Sequence, residues 1–354
     1  MMATDDRFQT GRTPFVAAGA VTGIGSLPHT SAPEAVREIA QFSPEIPFWP
    51  QLPQRSQREN IIGQGLGILE HFLEPRREGH GFQVKEGRID SVVEALHRST
   101  GELTPANASG FHVFKEVLSA EGFPSAIAVK GQIEGPITLA AYLFHQDRPF
   151  LADPVLFAAV AFHISQIICW QIDHLRRFGL PVLLFVDEPA LCLEAPPANA
   201  VSEEQRLNAL AVTLNDARVR GAYAGLHCCA ARPFGRMFHA QPDILSFDAH
   251  EGLELFIADP GARGFLRQGG TVAFGIVPTL SSLDGMDATS VFIRWLKAAS
   301  LTGDPQQLAR QSMITATCGL GLLPPVAAAE SFRLALGVSK LVRSFAGPLD
   351  RSSD

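Results

Sequence analysis

Eight short runs of apolar and β-branched residues constrain this chain more than any other feature. They are Val21–Leu27, Ile46–Leu52, Ala126–Ile133, Val182–Val186, Gly221–His227, Ile244–Phe247, Val272–Val277 and Met313–Cys318. Each has strand length and stops at Gly, Pro or a polar residue. Between them lie segments of helical period. Ser31–Phe42 carries Pro33 and Glu34 in its first turn, and Pro154–Phe178 closes on Arg176, Arg177 and Gly179. A proline and an acid suit a helix start, and a basic last turn before glycine suits a stop. Glu203–Asp216, Pro260–Gln268, Asp287–Ser300 and Pro325–Phe345 complete the helical set. Strand and helix alternating eight times predict an α/β fold, a (β/α)8 TIM barrel whose site gathers at the C-terminal strand ends. An open doubly wound sheet is the competitor, but the first run leads into Ser26-Leu27-Pro28-His29 rather than a G-x-G-x-x-G phosphate loop.

The stretch 54–124, between the second and third runs, exceeds what one crossover helix needs and is expected to be an insertion over the barrel top. Within it Gln57–Phe72 and Gly110–Gly122 read as helices and Gly81–Ile89 as a small hairpin. Residues 1–19 are expected to form an N-terminal tail, and residues 1–354 one catalytic domain. Leu191–Ser202, rich in Pro and Ala, is the loop expected to move.

With 354 residues, 46% of them apolar, the chain has ample material for one large core. A net charge of −7 and the lack of a Lys/Arg stripe argue against nucleic acid or an anionic membrane as partner. Five cysteines without a framework spacing suit a reducing, cytoplasmic setting. Met1–Thr13 carries Asp5, Asp6 and Arg7 where an export signal needs its apolar core. His163, Ser165 and Gln166 interrupt the most lipophilic stretch, Pro154–Trp170, which reads as a buried core helix rather than a membrane span.

Chemistry collects at the ends of the runs. The fifth run finishes in His227-Cys228-Cys229, and on a strand His227 and Cys229 share a face. An imidazole and a thiol make half a site for a soft divalent metal such as Zn²⁺, which wants about four ligands, and Cys318 is the best third. Ser26, His29, Gln51, Glu134, Asp187-Glu188-Pro189, Asp248, His250 and Glu251 sit at the other run ends. Six of the eight ends thus hold an ionisable or metal-ligating residue, costly if buried unless paired or ligating. Each also has a plain structural alternative. Asp187 could cap a helix, Glu134 could pair with Lys130 or an arginine, and His29 and His250 could be exposed loop residues. Cys169, Cys192 and Cys228 read as inert packing.

Taken together the motifs resemble the catalytic domain of cobalamin-independent methionine synthase, within the wider zinc-thiol methyltransferase and uroporphyrinogen decarboxylase superfamily. The resemblance spans nearly the whole chain: Ile24-Gly25-Ser26-Leu27-Pro28, Glu134-Gly135-Pro136-Ile137-Thr138, Asp187-Glu188-Pro189-Ala190-Leu191, His227-Cys228-Cys229 and Cys318-Gly319-Leu320 fall in the family's order. It implies a zinc ion on His227, Cys229 and Cys318 with a carboxylate from the sixth run. Asp248 is favoured over Glu251 there, although the family usually has Glu. It implies that the backbone around Ile24 and Ser26 holds the carboxylate of an amino-acid thiol, homocysteine first, and that Asp187 pairs with its amino group. Asp187 and Glu134 are the catalytic candidates, with His29, Gln51 and Tyr142 lining the substrate.

The departures bear on the methyl donor. The family's folate-dependent members have a second, N-terminal barrel, a seventh-strand His and a folate-stacking Trp. Here the chain has one barrel's length, the seventh run ends in Gly275-Ile276-Val277-Pro278, and Tyr142 takes the Trp position. A corrinoid such as methylcobalamin, free or on a partner corrinoid protein, needs no proton on departure and fits better than folate. Two alternatives stand beside this reading. One is another corrinoid methyltransferase or a decarboxylase of the superfamily, although Arg7, Arg12 and Arg37 form no cluster for a tetrapyrrole's carboxylates. The other is a zinc- or metabolite-binding barrel without catalysis.

Overall fold

Six of the eight runs form one parallel sheet, which we label β1 (Val129–Glu134), β2 (Val182–Asp187), β3 (Tyr223–Cys228), β4 (Ile244–Asp248), β5 (Thr271–Val277) and β6 (Ser312–Ala316). The computed structural model describes residues 13–192, 201–232, 234–280 and 282–347. Neighbours in the sheet are neighbours in sequence, from β1 at one edge to β6 at the other. The first two runs close the ring through single parallel bridges, Val21 to Ile314, Ser26 to Gln51 and Phe48 to Lys130. Backbone hydrogen bonds hold each seam, among them Thr22 N–H to Ile314 O at 3.1 Å and Lys130 N–H to Pro47 O at 2.8 Å. Around this ring run the crossover helices, so the chain is the expected (β/α)8 barrel.

Alternation along the strands sorts the side chains. On β2, Val182, Leu184 and Val186 join the layer shared with the helices, while Leu183 and Phe185 belong to a separate cluster inside the barrel. That inner cluster includes Phe15, Ala17, Ile46, Ala128, Ile244, Ala273 and Met313. Each large apolar side chain so enclosed stabilises the fold by about 1.5–3 kcal/mol. The described part of the expected N-terminal tail therefore helps seal the barrel: Phe15 O accepts from Thr271 Oγ1, and Ala18 and Gly19 N–H donate to Arg310 O and Ser312 O.

The helix Pro154–Leu175 is apolar nearly all round because it is covered twice. Its inner side meets β1 and β2, and its outer sides meet the helices Pro136–Tyr142, Ile89–His97 and Glu203–Val219. Asp153 starts it, its carboxylate accepting from the N–H groups of Val155 and Leu156. It is long and apolar enough to cross a membrane by composition, but Phe157, Ile164, Ile168 and Ile172 are spent on the core.

In the insertion the outcome differs from the expected pattern. Gln57–Phe72 is not one helix but three short turns, Gln57–Glu59, Ile61–Gly65 and Glu70–Phe72. Asn60 interrupts it by accepting the Gly63 N–H, and glycines at 63, 65 and 67 carry too little helix propensity to bridge the gap. The hairpin lies earlier than expected. Leu73–Pro75 pairs antiparallel with Phe82–Val84, and Ile89 already begins the helix Ile89–His97. Ser109–Ser119 is helical as the pattern predicts. Most of the loop expected to move, 193–200, lies outside the described residues.

Candidate functional site at the C-terminal strand ends

The strand register lines up the first part of the site. Glu134 on β1 is level with Asp187 on β2, Asp187 with His227 on β3, and His227 with Ser246 on β4. All four face the barrel interior. His227 is fixed through Nδ1, which lies 2.9 Å from Ser246 Oγ, leaving Nε2 as the nitrogen available for ligation.

Cys229 and Cys318 arrive from different strand ends yet share a hydrogen bond, and Cys229 also bonds to His227. The bond to Cys318 pushes the Cys229 thiol up to about 12, while the same bond holds Cys318 below the ordinary thiol range. These contacts run through Cys229, and among the described residues no group of three or more His, Cys, Asp and Glu is arranged to hold a metal ion. As a donor set, one anchored imidazole and two touching thiols fit a soft divalent cation. Asp248 is close enough for its charge to act on Cys318. It also caps the helix Ala249–Ala258, its Oδ1 accepting the Glu251 N–H. Glu251 itself is turned toward solvent beside His250, 3.7 Å away.

Beside the thiols lies a wholly buried charged cluster. Asp187 is 3% exposed, and its Oδ1 has no hydrogen-bond partner. Burial raises it to about 6, against the opposing pull of His227 and Lys130. Lys130, 1% exposed, is lowered to about 7 by burial, with Asp187 opposing. Its Nζ donates to Ile24 O at 2.6 Å and Gln132 Oε1 at 2.9 Å, and lies 4.8 Å from the Phe185 ring centre. Thus Lys130 does not pair with Glu134.

Glu134 has both carboxyl oxygens buried without a hydrogen-bond partner. The backbone of Glu134 and of Gly65 favours its charged form. Burial, with Asp187 and Glu188 adding repulsion, drives its pKa well above the carboxylate range. A Cβ at Gly65 would overlap Glu134 Oε1, so the glycine leaves room for the carboxyl where it lies.

Glu188, on the opposite face from Asp187, does the capping that Asp187 could have done. Its oxygens accept the N–H groups of Ile137 at 2.8 Å and Thr138 at 2.9 Å and the Thr138 hydroxyl at 2.6 Å, holding the start of Pro136–Tyr142. Burial nonetheless raises it to about 7 against those bonds.

The remaining expected residues divide. Ile24, Ser26 and Cys318 line one small cavity together with Leu320 and Phe332. Gln51 bridges to Ser26 and donates to Gln64 Oε1 at 2.8 Å. His29 is no exposed loop residue: its Nε2 lies 3.1 Å from Glu38 Oε2 on the first helix. Tyr142 is exposed at the end of its helix. Sequence reasoning passed over Gln132 and Ser246 and offered Lys130 only as a partner for Glu134. The signal was present in Val129-Lys130-Gly131-Gln132-Ile133-Glu134, where a polar residue at every second position puts polarity on the barrel's inner face.

No protein-family model matches this chain, and no curated protein does. Solved structures do. A B12-independent methionine synthase from Shewanella sp. W3-18-1, in complex with selenomethionine, superposes with a TM-score of 0.54 at 13% identity, over 93% of this chain and 98% of that one. A methyltransferase from Methanosarcina mazei gives 0.53 at 14% identity, over 92% and 97%. At such identities the likeness establishes the fold, over essentially the full length of both chains.

Proposed function

We propose that this chain is a zinc-dependent methyltransferase that moves a methyl group to a small thiol, homocysteine in the first instance, giving methionine. One observation carries the reading: two thiols from separate strand ends touch beside an anchored imidazole and a buried carboxyl at the barrel mouth. The two similar structures named above are consistent with it.

His227, Cys229 and Cys318 would hold the metal, with Asp248 as the fourth ligand. Bound there, zinc would supply the positive charge that keeps a substrate thiol deprotonated at neutral pH. The chain's own residues then bind and orient. Ser246 fixes the His227 ring. Asp187, mostly ionised at neutral pH, offers its unpartnered oxygen to the substrate's ammonium group. The cavity at Ile24 and Ser26 borders Cys318 and takes the carboxylate end. Glu134, kept protonated by burial, can donate one hydrogen bond into the same space.

The end of β5, Val277-Pro278, offers no titratable group to protonate a departing folate, which favours a corrinoid donor. Zinc X-ray absorption on the purified protein tests the reading. Two sulfur scatterers rising to three on adding homocysteine are expected. Zinc with two sulfurs and no change would overturn homocysteine as substrate, and protein that binds no zinc would overturn the metal site.

A further inference from the structure

Beside the thiols assigned above lies a second thiol pair with no part in that chemistry. Cys192 ends the short turn Pro189–Cys192 after β2, and Cys228 is the last residue of β3. The turn packs against β3, Cys192 Sγ donates to Pro189 O at 2.7 Å, and the two thiols lie close enough to act on one another. The backbone enforces the approach from two sides. Glu188 N–H donates to His227 O at 2.8 Å, and Arg236, on the helix Phe234–His239 that follows β3, donates from Nη1 to Leu191 O at 2.7 Å. The turn 189–192 is thereby pinned across the end of β3. Cys228 points away from its neighbours His227 and Cys229, so the pair lies on the far side of the strand from the candidate metal ligands. Cys192 is exposed and Cys228 fully buried, giving one sulfur that solutes reach and one that only its neighbour reaches.

We propose that Cys192 and Cys228 form a reversible disulfide on exposure to a peroxide. The Cys192 sulfur attacks one peroxide oxygen, the O–O bond breaks, and Cys192 sulfenic acid and water result. Cys228 sulfur then displaces the hydroxyl from Cys192, which leaves as water with the Cys228 thiol proton. Overall two thiols are oxidised by two electrons, and one hydrogen peroxide is reduced to two waters. Exposed Cys192 is the attacking sulfur and buried Cys228 the resolving one. The bond would tie the β2 turn to the residue between His227 and Cys229.

The test is thiol mapping of the full-length chain treated with hydrogen peroxide. Of the five cysteines, the number alkylated after denaturation should fall by two and recover fully with dithiothreitol. Cys228 and Cys229 are adjacent, so the cross-linked peptide is assigned in Cys229→Ala, where exposed Cys229 is lost without disturbing the core. A Cys192–Cys228 link in wild type and Cys229→Ala, and its loss in Cys192→Ser, is the expected result. A Cys229–Cys318 link as the sole product, or Cys192 oxidised beyond sulfenic acid while Cys228 stays a free thiol, would overturn the proposal.

Discussion

The barrel mouth has two halves that differ in how they meet water. On β1 and β2, Lys130, Glu134, Asp187 and Glu188 are at most 3% exposed. Across the mouth, Cys229 is exposed and Cys318 half-buried. The first half holds ionisable groups where charge is costly, and burial shifts each toward its neutral form. The second holds soft thiols, whose neutral forms cost little to expose or enclose. Stability should therefore be decided on the carboxyl side and metal affinity on the thiol side.

Replacing Glu188 should break the carboxyl half most severely. Glu188→Ala leaves the amides of Ile137 and Thr138 and the Thr138 hydroxyl without their acceptor in a buried site. A loss of about 3–5 kcal/mol is expected in chemical denaturation. A loss below about 1 kcal/mol would show that water reaches those donors and that this half is less dry than its geometry implies.

Proton linkage gives the next largest effect. Asp187 and Glu188, with folded values near 6 and 7 against ordinary values of 3.8 and 4.5, keep protons that the unfolded chain has already released. Their stabilisation is complete below pH 4 and is lost as pH rises through 6 and 7, about 3 kcal/mol for each carboxyl. Lys130 has the opposite sign. Lowered from 10.5 to about 7, it binds fewer protons folded than unfolded between those values, which above pH 7 offsets the continued loss from Glu134, whose folded value burial holds well above the carboxylate range. Unfolding free energy should fall as pH rises from 4 to 7. A profile that rises steadily from pH 4 to 7 would contradict the burial assigned to these carboxyls.

This contrast was partly legible in the chain itself. The eight runs and their order gave the barrel, and the identity of residues at the run ends placed Glu134, Asp187, His227, Cys229 and Cys318 at one mouth. Which of two adjacent acids does structural work was not legible. Asp187 and Glu188 differ only in strand phase, and the partner that occupies Glu188 is a helix start some 50 residues earlier. The contact between His29 and Glu38 was not legible for a related reason, because it forms only once the first helix lies against the first run. The broken turns of 57–72 follow from Asn60 accepting the Gly63 N–H and from the glycines at 63, 65 and 67, local signals that the apolar spacing of the segment hid.

On the thiol side, Ser246→Ala should leave stability within about 1 kcal/mol and weaken zinc binding 10- to 100-fold. The hydroxyl's contact is the Nδ1 of His227, so its loss frees the ring to rotate. Competition with a chromophoric chelator measures the change. Unaltered affinity would mean that His227 is oriented by its backbone alone or does not ligate.

The smallest expected effect is the sharpest comparison, because it sets Glu134 against Glu188 at equal burial. Both are 0% exposed carboxyls with raised values, one strand apart. Glu188 accepts three hydrogen bonds and Glu134 none. A neutral acid without partners resembles an amide of the same shape, so Glu134→Gln should change stability by less than about 1 kcal/mol. Glu134→Leu should be neutral or stabilising, since it removes unpaired polar atoms from a dry site. A protein that keeps such a group forgoes stability that a simple substitution would recover, and the compensating use is expected in the reaction. Methyl transfer to homocysteine should fall in Glu134→Gln while the folded state is untouched. A loss of several kcal/mol in either variant would instead show that Glu134 has hidden partners, and would move it to the structural side of the comparison with Glu188.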